Sequence, residues 1–472
     1  MEPTTIILKA IDSFVWGPVT LILLVGTGLY LMVGLRFMPV LKIVTAFKLL
    51  WQGRKRDNSE GEITPFNALM TALSATVGTG NIVGVAGAIA IGGPGAIFWM
   101  WITALVGMAT KYAEAVLAVK YREVDEDGNH QGGPMYYIKN GLGKNWTWLA
   151  FLFALFGAIA AFGIGNGVQA NAVANALNGG FNIPNWVTAI VLAALTGLVL
   201  IGGIKRIGAI AGKLVPIMAL FYISGALIII VMNISSVPDA LWLIVKEAFS
   251  PSAAVGGAVG AAIMLAIQKG VSRGVFSNEA GLGTAPIAHA AAKTNNPVKQ
   301  GTIGMLGTFI DTIVICTMTA LVIVLMNGWT TVDLETGKTI LTSAWTMIDP
   351  VTNEKVTDAV ITANAFSHAN ALPMLGKYIV TLGLAFFAFT TILGWSFYGE
   401  RCAEYLFGIK IIPAYRILWV IVVLVSPLVN LEIMWLIAGI LNALMAIPNL
   451  IGLLLLSPVV FKLTRDYYDT KI

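Results

Sequence analysis

Charged side chains are scarce in this 472-residue chain, in which Asp, Glu, Lys and Arg together make up 11% of the residues. Soluble proteins carry about 25%, and this shortage excludes a water-soluble globular fold for most of the chain. Apolar residues account for 57%. Lipid is therefore the solvent for most of the chain, and the composition predicts an all-α membrane protein.

Cysteine and histidine are also rare, with two and three residues. Cys316 and Cys402 lie in apolar segments far apart in the sequence, which argues against a disulfide framework, and no spacing typical of a metal site occurs. A membrane-embedded enzyme would need a metal cluster, or a nucleophile with a base, and the sequence contains neither motif. We therefore expect no enzymatic activity and no cofactor.

Eleven apolar segments are long enough to cross a bilayer, which takes about 20 residues. They lie near residues 14–35, 63–91, 95–119, 147–177, 185–203, 208–233, 254–290, 299–327, 374–399, 412–430 and 433–457. No basic stretch precedes the first segment, so we interpret it as a retained span and not as a signal peptide.

The loops between these segments differ in charge. With the N-terminus outside, Lys and Arg collect in the inner loops, beginning with Arg36 and Lys42, whereas the outer loop at about 328–373 is acidic. This positive-inside pattern predicts a multi-pass protein of the cell membrane with a cytoplasmic C-terminus. The net charge of +5 then reflects topology, and no nucleic-acid partner is expected. Residues 359–371 of the outer loop form either a short helix across the outer mouth or an ordinary loop.

Two of the segments are interrupted by glycines and polar residues. The second contains Gly78-Thr79-Gly80-Asn81, and the seventh contains Ser277-Asn278-Glu279 followed by Gly281 and Gly283. Glycine weakens a helix, and a helix broken at membrane depth must line a cavity or lie within protein. In the seventh segment, Ser277 or Asn278 is expected to cap a new helix with Glu279 in its first turn.

The two interruptions are five spans apart, so the two halves of the chain have opposite orientations. This pattern is typical of an inverted-repeat transporter, in which broken helices from both halves meet at the midplane. Free amides would hold a substrate carboxylate, and free carbonyls would hold an ammonium group or a cation. The alternative is that the glycines only allow close helix packing. A channel would not need paired breaks matched to a zwitterion.

Three blocks of sequence resemble the alanine/glycine:cation symporter family, also described as sodium:alanine symporters. They are GTGNIVGVA with GGPGAIFWMW at residues 78–86 and 92–101, QGGPMYY at 131–137, and FSNEAGLGTAP at 276–286. The resemblance extends from about Gly61 to Glu400. It implies uptake of alanine or glycine driven by sodium or, alternatively, by protons. It also implies the five-plus-five inverted-repeat fold of leucine-transporter-like proteins, here with one extra N-terminal span.

This fold divides the chain into four parts. Residues 1–60 would hold the extra span and a basic inner loop, residues 61–250 the first five-helix repeat, and residues 251–457 the second repeat with the acidic outer loop. Residues 458–472 would form a cytoplasmic tail.

In the fold that the resemblance implies, the first broken helix binds the substrate carboxylate. Gly80 and Thr79 would offer backbone amides to it, and Thr76 would offer a carbonyl to the ammonium group. Asn81 would fix the unwound segment through its side chain.

The second break would contribute carbonyls. Those of Phe276 and Ser277 would face the ammonium group, and the Phe276 ring would close the pocket. A buried carboxylate is costly unless it is paired, so Glu279 either faces the ammonium group, ties the break to a neighbouring helix, or caps a helix N-terminus. In the fourth span, Gln169 is expected to donate to the carboxylate, whereas its polar neighbours Asn166 and Asn171 share this surface or join helices.

Sodium prefers hydroxyl and carbonyl oxygens, as other hard cations do. In the implied fold two neighbouring hydroxyls lie beside the first break, and Thr390 and Thr391 match them. Carbonyls near Ser74 and Val77 would complete the shell. The alternative is that both threonines bond to their own helix backbone.

Ionisable residues within apolar segments are usually paired. Arg273 lies about one turn outside the second break, where an outer gate is expected, and Asp311 in the eighth span is its candidate partner.

Overall fold

The structure is a computed structural model that describes residues 3–55, 59–249, 259–326, 330–332, 339–341, 358–368, 375–429 and 432–469. Within these ranges eight helices are long and apolar enough to cross a membrane, and a bent helix pair adds a ninth span if it is counted as one. The predicted all-α class is therefore confirmed, and the count of eleven spans stays a prediction.

The helices of the first half of the chain alternate between long spans and short connecting elements. They are α1 (Pro3–Val15), α2 (Pro18–Gly34), α3 (Met38–Leu41), α4 (Ile43–Gln52), α5 (Pro65–Thr76), α6 (Val85–Gly92), α7 (Gly95–Lys120), α8 (Pro134–Leu142), α9 (Thr147–Ala160), α10 (Val168–Phe181), α11 (Asn185–Leu200), α12 (Gly203–Met232) and α13 (Val237–Phe249).

The second half contains the longest helices. Its elements are α14 (Val259–Asn278), α15 (Ala285–Ala290), α16 (Pro297–Gly304), α17 (Leu306–Thr308), α18 (Thr317–Leu325), α19 (Asp358–His368), α20 (Gly376–Phe407), α21 (Ile412–Val425) and α22 (Glu432–Asp469). Two antiparallel hairpins pair β1 (Glu123–Val124) with β2 (His130–Gln131), and β3 (Thr330–Val332) with β4 (Thr339–Leu341). Short 3₁₀ turns lie at Lys144–Trp146, Ile234–Ser236, Ile409–Ile411 and Ser426–Leu428.

Three π-helical segments interrupt the spans, at Gly80–Gly84, Ala161–Gly167 and Phe309–Cys316. A π-helical turn disturbs the regular backbone ladder and is frequent at functional sites. Each segment holds a buried polar side chain among mostly apolar residues, namely Asn81, Asn166 and Asp311.

The core surrounds α7 and α20. Helix α7 packs against α14, α15 and α16, and α20 packs against α9, α10 and α12. Helices α11, α12 and α21 instead expose apolar residues such as Leu198, Ile217 and Ile417. Such a surface suits lipid, because an apolar shell around a polar interior is stable only where water is absent.

The first predicted break is confirmed as a bend of 54° between the helices on either side of residues 77–79. Helix α5 begins cleanly because the Thr64 side chain accepts a hydrogen bond from the Asn67 amide and Pro65 occupies the first helical turn.

The second break begins later than expected. Helix α14 continues through Ser277 to Asn278, and α15 begins only at Ala285, so the prediction that Ser277 or Asn278 caps a new helix was wrong. Glu279, Gly281 and Gly283 between them have φ values of 56°, 88° and 81°. These left-handed residues, two of them glycines, prevent the helix from resuming until Pro286 fixes its first turn.

A short helix does occur in the acidic segment, since α19 covers Asp358–His368. The Thr362 hydroxyl donates to the carbonyl of Ile82 at 3.1 Å, directly beyond the first break. Of the remainder of this segment, only residues 330–332 and 339–341 are described.

Candidate functional site

In the first break, the side chain of Asn81 bonds to the backbone of the same unwound segment. The backbone amide of Gly78 donates to Asn81 Oδ1 at 2.8 Å across the unwound turn. Thr76 lies at the end of α5, and its hydroxyl donates to the carbonyls of Ala72 and Leu73 at 3.3 Å each.

Asp311 joins the two breaks. Its Oδ1 accepts from Asn81 Nδ2 at 2.7 Å, and its Oδ2 accepts from the hydroxyls of Ser277 and Thr312 at 2.8 Å each. The carboxyl group is fully buried. One side chain from α14 and one from the first break therefore meet on a single acid from the Phe309–Cys316 segment.

The close approach of the two breaks depends on Gly80. A β-carbon at Gly80 would lie 3.0 Å from the Cα of Ser277 and 3.4 Å from the Phe276 ring. Thr79, Gly80, Phe276 and Ser277, all predicted substrate residues, are thus neighbours.

Gln169 lies on the other side of the first break. Its Nε2 donates to the Thr79 hydroxyl at 3.1 Å and to the Ile164 carbonyl at 3.0 Å, while its Oε1 accepts from the Thr79 amide at 3.4 Å. By contrast, Asn166 and Asn171 donate to the carbonyls of Trp419 and Ser426, at 2.9 and 3.3 Å. These two amides join helices, which agrees with the alternative interpretation given for them.

Helix α20 brings one of the two predicted cation threonines to the first break. The Thr391 hydroxyl is 3.4 Å from the Val77 carbonyl, and a β-carbon at Gly78 would lie 2.5 Å from it. The Thr390 hydroxyl lies 3.4 Å from Met218 Sδ on α12. Both hydroxyls also bond to the Phe387 carbonyl of their own helix.

Ser74 faces the same surface of α20. Its hydroxyl lies 2.8 Å from a β-carbon built on Gly394 and donates to the Thr71 carbonyl at 2.7 Å. The structure therefore gathers Ser74, Val77 and Thr391 where α5 ends.

Glu279 is bound to the protein through both carboxylate oxygens. Oε1 accepts from the Trp395 indole at 2.7 Å, and Oε2 accepts from the Thr284 hydroxyl at 2.6 Å. These contacts tie the second break to α20, as one of the three interpretations of Glu279 required. They also stabilise a left-handed non-glycine backbone, which costs about 1–2 kcal/mol.

A buried lysine was missed by the sequence interpretation. Lys111 on α7 is 2% exposed and lies within electrostatic range of Glu114, Glu279 and Asp311. Glu114 Oε1 accepts from the Gly283 amide at 3.2 Å and from Asn449 Nδ2 at 2.7 Å. The signal was available, because Lys111 and Glu114 are ionisable residues three positions apart in an apolar span.

A pocket of about 440 Å³ reaches the last turn of α14, just before the second break. Phe276 and Val83 line it together with Arg273, Lys269 and Asp12 of α1. Arg273 lies within electrostatic range of Asp12 and, among the described residues, forms no ion pair with Asp311. The predicted gate residues therefore belong to different environments, because Asp311 is turned into the core.

The opposite face of the two broken helices is sealed by backbone pairing. Residues 60–63 run beside residues 291–294, with Lys293 N donating to Ile63 O at 2.7 Å and Glu62 N donating to Ala291 O at 2.9 Å. Arg122 closes this junction by donating to four carbonyl oxygens, two of them, on Ala290 and Ala292, at 3.0 and 2.9 Å.

The loop with the QGGPMYY block supports the junction. The amide and the Nδ1 atom of His130 both contact Glu62 Oε1 at 2.8 Å. Gln131 Nε2 donates to Asp125 Oδ2 at 3.0 Å and also contacts Glu404 of α20. Substrate could therefore not pass on this side without separating α5, α15 and the loop.

The sodium:alanine symporter family model matches residues 1–472 of this chain. The chain belongs to this family. It is 50% identical to the sodium/alanine symporter AgcS of Methanococcus maripaludis over 98% of this chain and 97% of that protein. It is also 51% identical to an uncharacterized transporter of Haemophilus influenzae over 98% of this chain and 96% of that protein.

Solved structures share the fold at low sequence identity. MhsT in complex with L-phenylalanine superposes with a TM-score of 0.50 and 12% identity, covering 86% of this chain and 98% of that chain. An Eremococcus coleocola manganese transporter in complex with an aromatic bis-isothiourea compound superposes with a TM-score of 0.50 and 13% identity, covering 84% of this chain and 78% of that chain. This family member is thus a multi-pass membrane transporter that shares its fold with these two solved transporters, and it is not an enzyme.

Proposed function

We propose that the chain imports alanine or glycine with sodium by alternating access. The observation that carries the proposal is the close approach of Gly80 to Phe276 and Ser277, with Phe276 also lining the 440 Å³ pocket. A helix break offers amides to a carboxylate and carbonyls to an ammonium group, which suits a zwitterion.

The proposal assigns the substrate to Thr76, Thr79, Gly80, Asn81, Gln169, Phe276, Ser277 and Glu279. Gln169 is the expected donor to the carboxylate, because its amide already lies against Thr79. Glu279 contributes indirectly, because Trp395 and Thr284 donate hydrogen bonds to its two carboxylate oxygens. The Phe276 ring limits the pocket to a small side chain.

The proposal assigns sodium to Ser74, Val77, Thr390 and Thr391. Thr391 and the Val77 carbonyl contribute most, since they already lie 3.4 Å apart. An ion there would join α20 to the first broken helix. Sodium binding would thus favour the arrangement in which the substrate site is assembled.

The proposed topology has eleven spans, formed by one extra N-terminal span and two inverted five-helix repeats at residues 61–250 and 251–457. Residues 1–60 precede the repeats, and residues 458–472 form a tail. In the cell membrane the N-terminus would lie outside and the C-terminus in the cytoplasm, so the 440 Å³ pocket faces outward and the Arg122 junction inward. Arg273 would then act at the outer mouth with Asp12 rather than with Asp311.

The decisive experiment is uptake of labelled alanine into liposomes that contain the purified protein, with an inward sodium gradient, an inward proton gradient, or neither. Accumulation that requires sodium and is competed by glycine is the expected result. Accumulation driven by protons alone would favour the proton-coupled alternative. No accumulation under either gradient would rule out the proposed substrates.

Replacing Thr391 by alanine is expected to raise the sodium concentration for half-maximal uptake by about tenfold, because one lost oxygen ligand costs roughly 1–2 kcal/mol. Thr391→Ser keeps the hydroxyl and should recover most of the affinity. Thr196→Ala is a matched control, since Thr196 is fully buried on α11. A Thr391→Ala variant with the sodium dependence of the control would refute this role.

The inner junction gives a second expectation. Arg122→Gln removes most donors from four carbonyls and should destabilise the closed junction by about 2–3 kcal/mol. We expect the variant to shift the conformational equilibrium toward an inward-open state. A cysteine introduced at Ala291, which is 1% exposed, should then react much faster with a thiol reagent applied from the inner side.

Lys139→Gln is the control for Arg122, because it removes an exposed pair with Glu123 in the same loop, and such pairs contribute little. Equal reaction rates at position 291 in the two variants would contradict a clamping role for Arg122.

A further inference from the structure

A groove of about 700 Å³ lies away from the broken helices, between the end of α2, the helices α3 and α4, and the last turns of α22. Its lining combines three basic side chains with apolar and aromatic ones. Arg36, Lys42 and Arg465 supply the positive charge, and Leu41 and Phe461 are among the apolar residues.

The charge of this groove is not neutralised by the described part of the protein. One carboxylate, that of Asp469, is among the lining residues. Within the described ranges, no carboxylate oxygen lies within 4.0 Å of a nitrogen of Arg36, Lys42 or Arg465. The Lys42 ammonium instead lies 5.4 Å from the centre of the Tyr468 ring. An anionic ligand would therefore meet net positive charge beside aromatic surface.

The rim of the groove is formed by helix α4, whose Thr45 and Leu49 line the groove and whose neighbouring apolar side chains are exposed. Helix α4 buries Ala46 and Leu50 but leaves Val44, Phe47 and Trp51 exposed by 68%, 41% and 70%. Basic residues flank this apolar face. A short helix of this kind lies in the plane of the headgroup region, with its apolar side chains among the acyl chains.

A tight turn presents Arg36 to this interface. Arg36 and Phe37 both adopt left-handed backbone conformations, with φ values of 53° and 58°. Non-glycine residues rarely adopt this conformation. Here the turn separates α2 from α3 by three residues, and Arg36 lines the groove.

We propose that this groove binds one anionic phospholipid, with its phosphate among Arg36, Lys42 and Arg465 and its acyl chains along the apolar rim. Basic pockets between membrane helices at a headgroup surface recognise anionic lipids through this combination of charge and apolar surface. A zwitterionic phospholipid has no net charge to match, so the site discriminates by headgroup. The inference does not depend on which substrate the protein carries.

The test is native mass spectrometry of the full-length detergent-solubilised protein after titration with dioleoylphosphatidylglycerol or dioleoylphosphatidylcholine. The expected result is one tightly retained phosphatidylglycerol, bound more than about tenfold better than phosphatidylcholine. The triple variant Arg36→Gln, Lys42→Gln, Arg465→Gln should lose this preference. The control Lys120→Gln, Lys205→Gln, Lys213→Gln removes the same charge from exposed sites outside the groove and should retain it.

Three outcomes would overturn the proposal. Equal retention of the two lipids by the unaltered protein needs no variant and would remove the headgroup preference. Displacement of phosphatidylglycerol by millimolar inorganic phosphate would assign the basic cluster to soluble phosphate. A dimer that the groove variant converts to a monomer would assign the groove to a second copy of the chain.

Discussion

Replacing Asp311 by alanine is expected to reduce alanine uptake by more than about 100-fold. The change leaves the Asn81 amide and the hydroxyls of Ser277 and Thr312 without their shared acceptor. A buried donor without a partner costs about 1–3 kcal/mol. The Asn81 amide keeps the Asp311 backbone carbonyl at 3.2 Å and the Ser277 hydroxyl keeps Cys316 Sγ at 3.3 Å, so we expect a total cost of about 3 kcal/mol. That loss disfavours the one arrangement in which both breaks meet.

The measurement is sodium-driven uptake into liposomes, with protein amount and monodispersity checked by size-exclusion chromatography. Asp239→Ala, a change at an exposed aspartate at the start of α13, serves as the matched control. Asp311→Asn keeps the size and one acceptor oxygen, and it separates loss of charge from loss of packing. Uptake by Asp311→Ala within threefold of the control would contradict the proposal that Asp311 joins the two breaks.

Replacing Lys111 by methionine is expected to lower the thermal stability of the purified protein strongly. Methionine matches the length of the lysine stem but removes the ammonium group that lies within electrostatic range of Glu114, Glu279 and Asp311. Removing one partner of a buried ionic group typically costs 3–5 kcal/mol, because the remaining charge stays buried and uncompensated. We expect a fall in the melting temperature on the order of 5 °C or more.

A double variant tests the cause of that loss. Lys111→Met combined with Glu114→Gln removes one charge of each sign and should be more stable than Lys111→Met alone. Lys120→Met, at the exposed end of the same helix, is the matched control. Strictly additive losses in the double variant would mean that Lys111 stabilises α7 by packing and not by charge.

The breaks were predictable because they are local. Glycines and polar residues in an apolar run weaken the helix wherever the run lies in the protein, and Gly78-Thr79-Gly80-Asn81 marks the 54° bend. The second break was found but misplaced by several residues. The left-handed state of Glu279 is imposed by Trp395 and Thr284, and Trp395 lies 116 positions further along the chain.

Pairing between distant side chains was less predictable. Arg273 and Asp311 were predicted to pair because they are ionisable residues in neighbouring spans. Asp311 instead accepts a hydrogen bond from Asn81, 230 positions away. Which face of a helix turns inward depends on the helices around it, and the period of an apolar span does not reveal this when nearly all of its residues are apolar.

The sequence by itself determined the solvent of this protein, its all-α class, the site of its first break, the presence of a second and its resemblance to sodium:alanine symporters. These properties depend on composition and on short contiguous blocks. Only the tertiary structure decided that Asp311 joins the breaks, that Lys111 lies within electrostatic range of three carboxylates and that Arg122 bonds to the paired backbone of residues 60–63 and 291–294. The physical reason is that a buried charge is tolerated only where distant segments supply its partners, and packing brings those segments together.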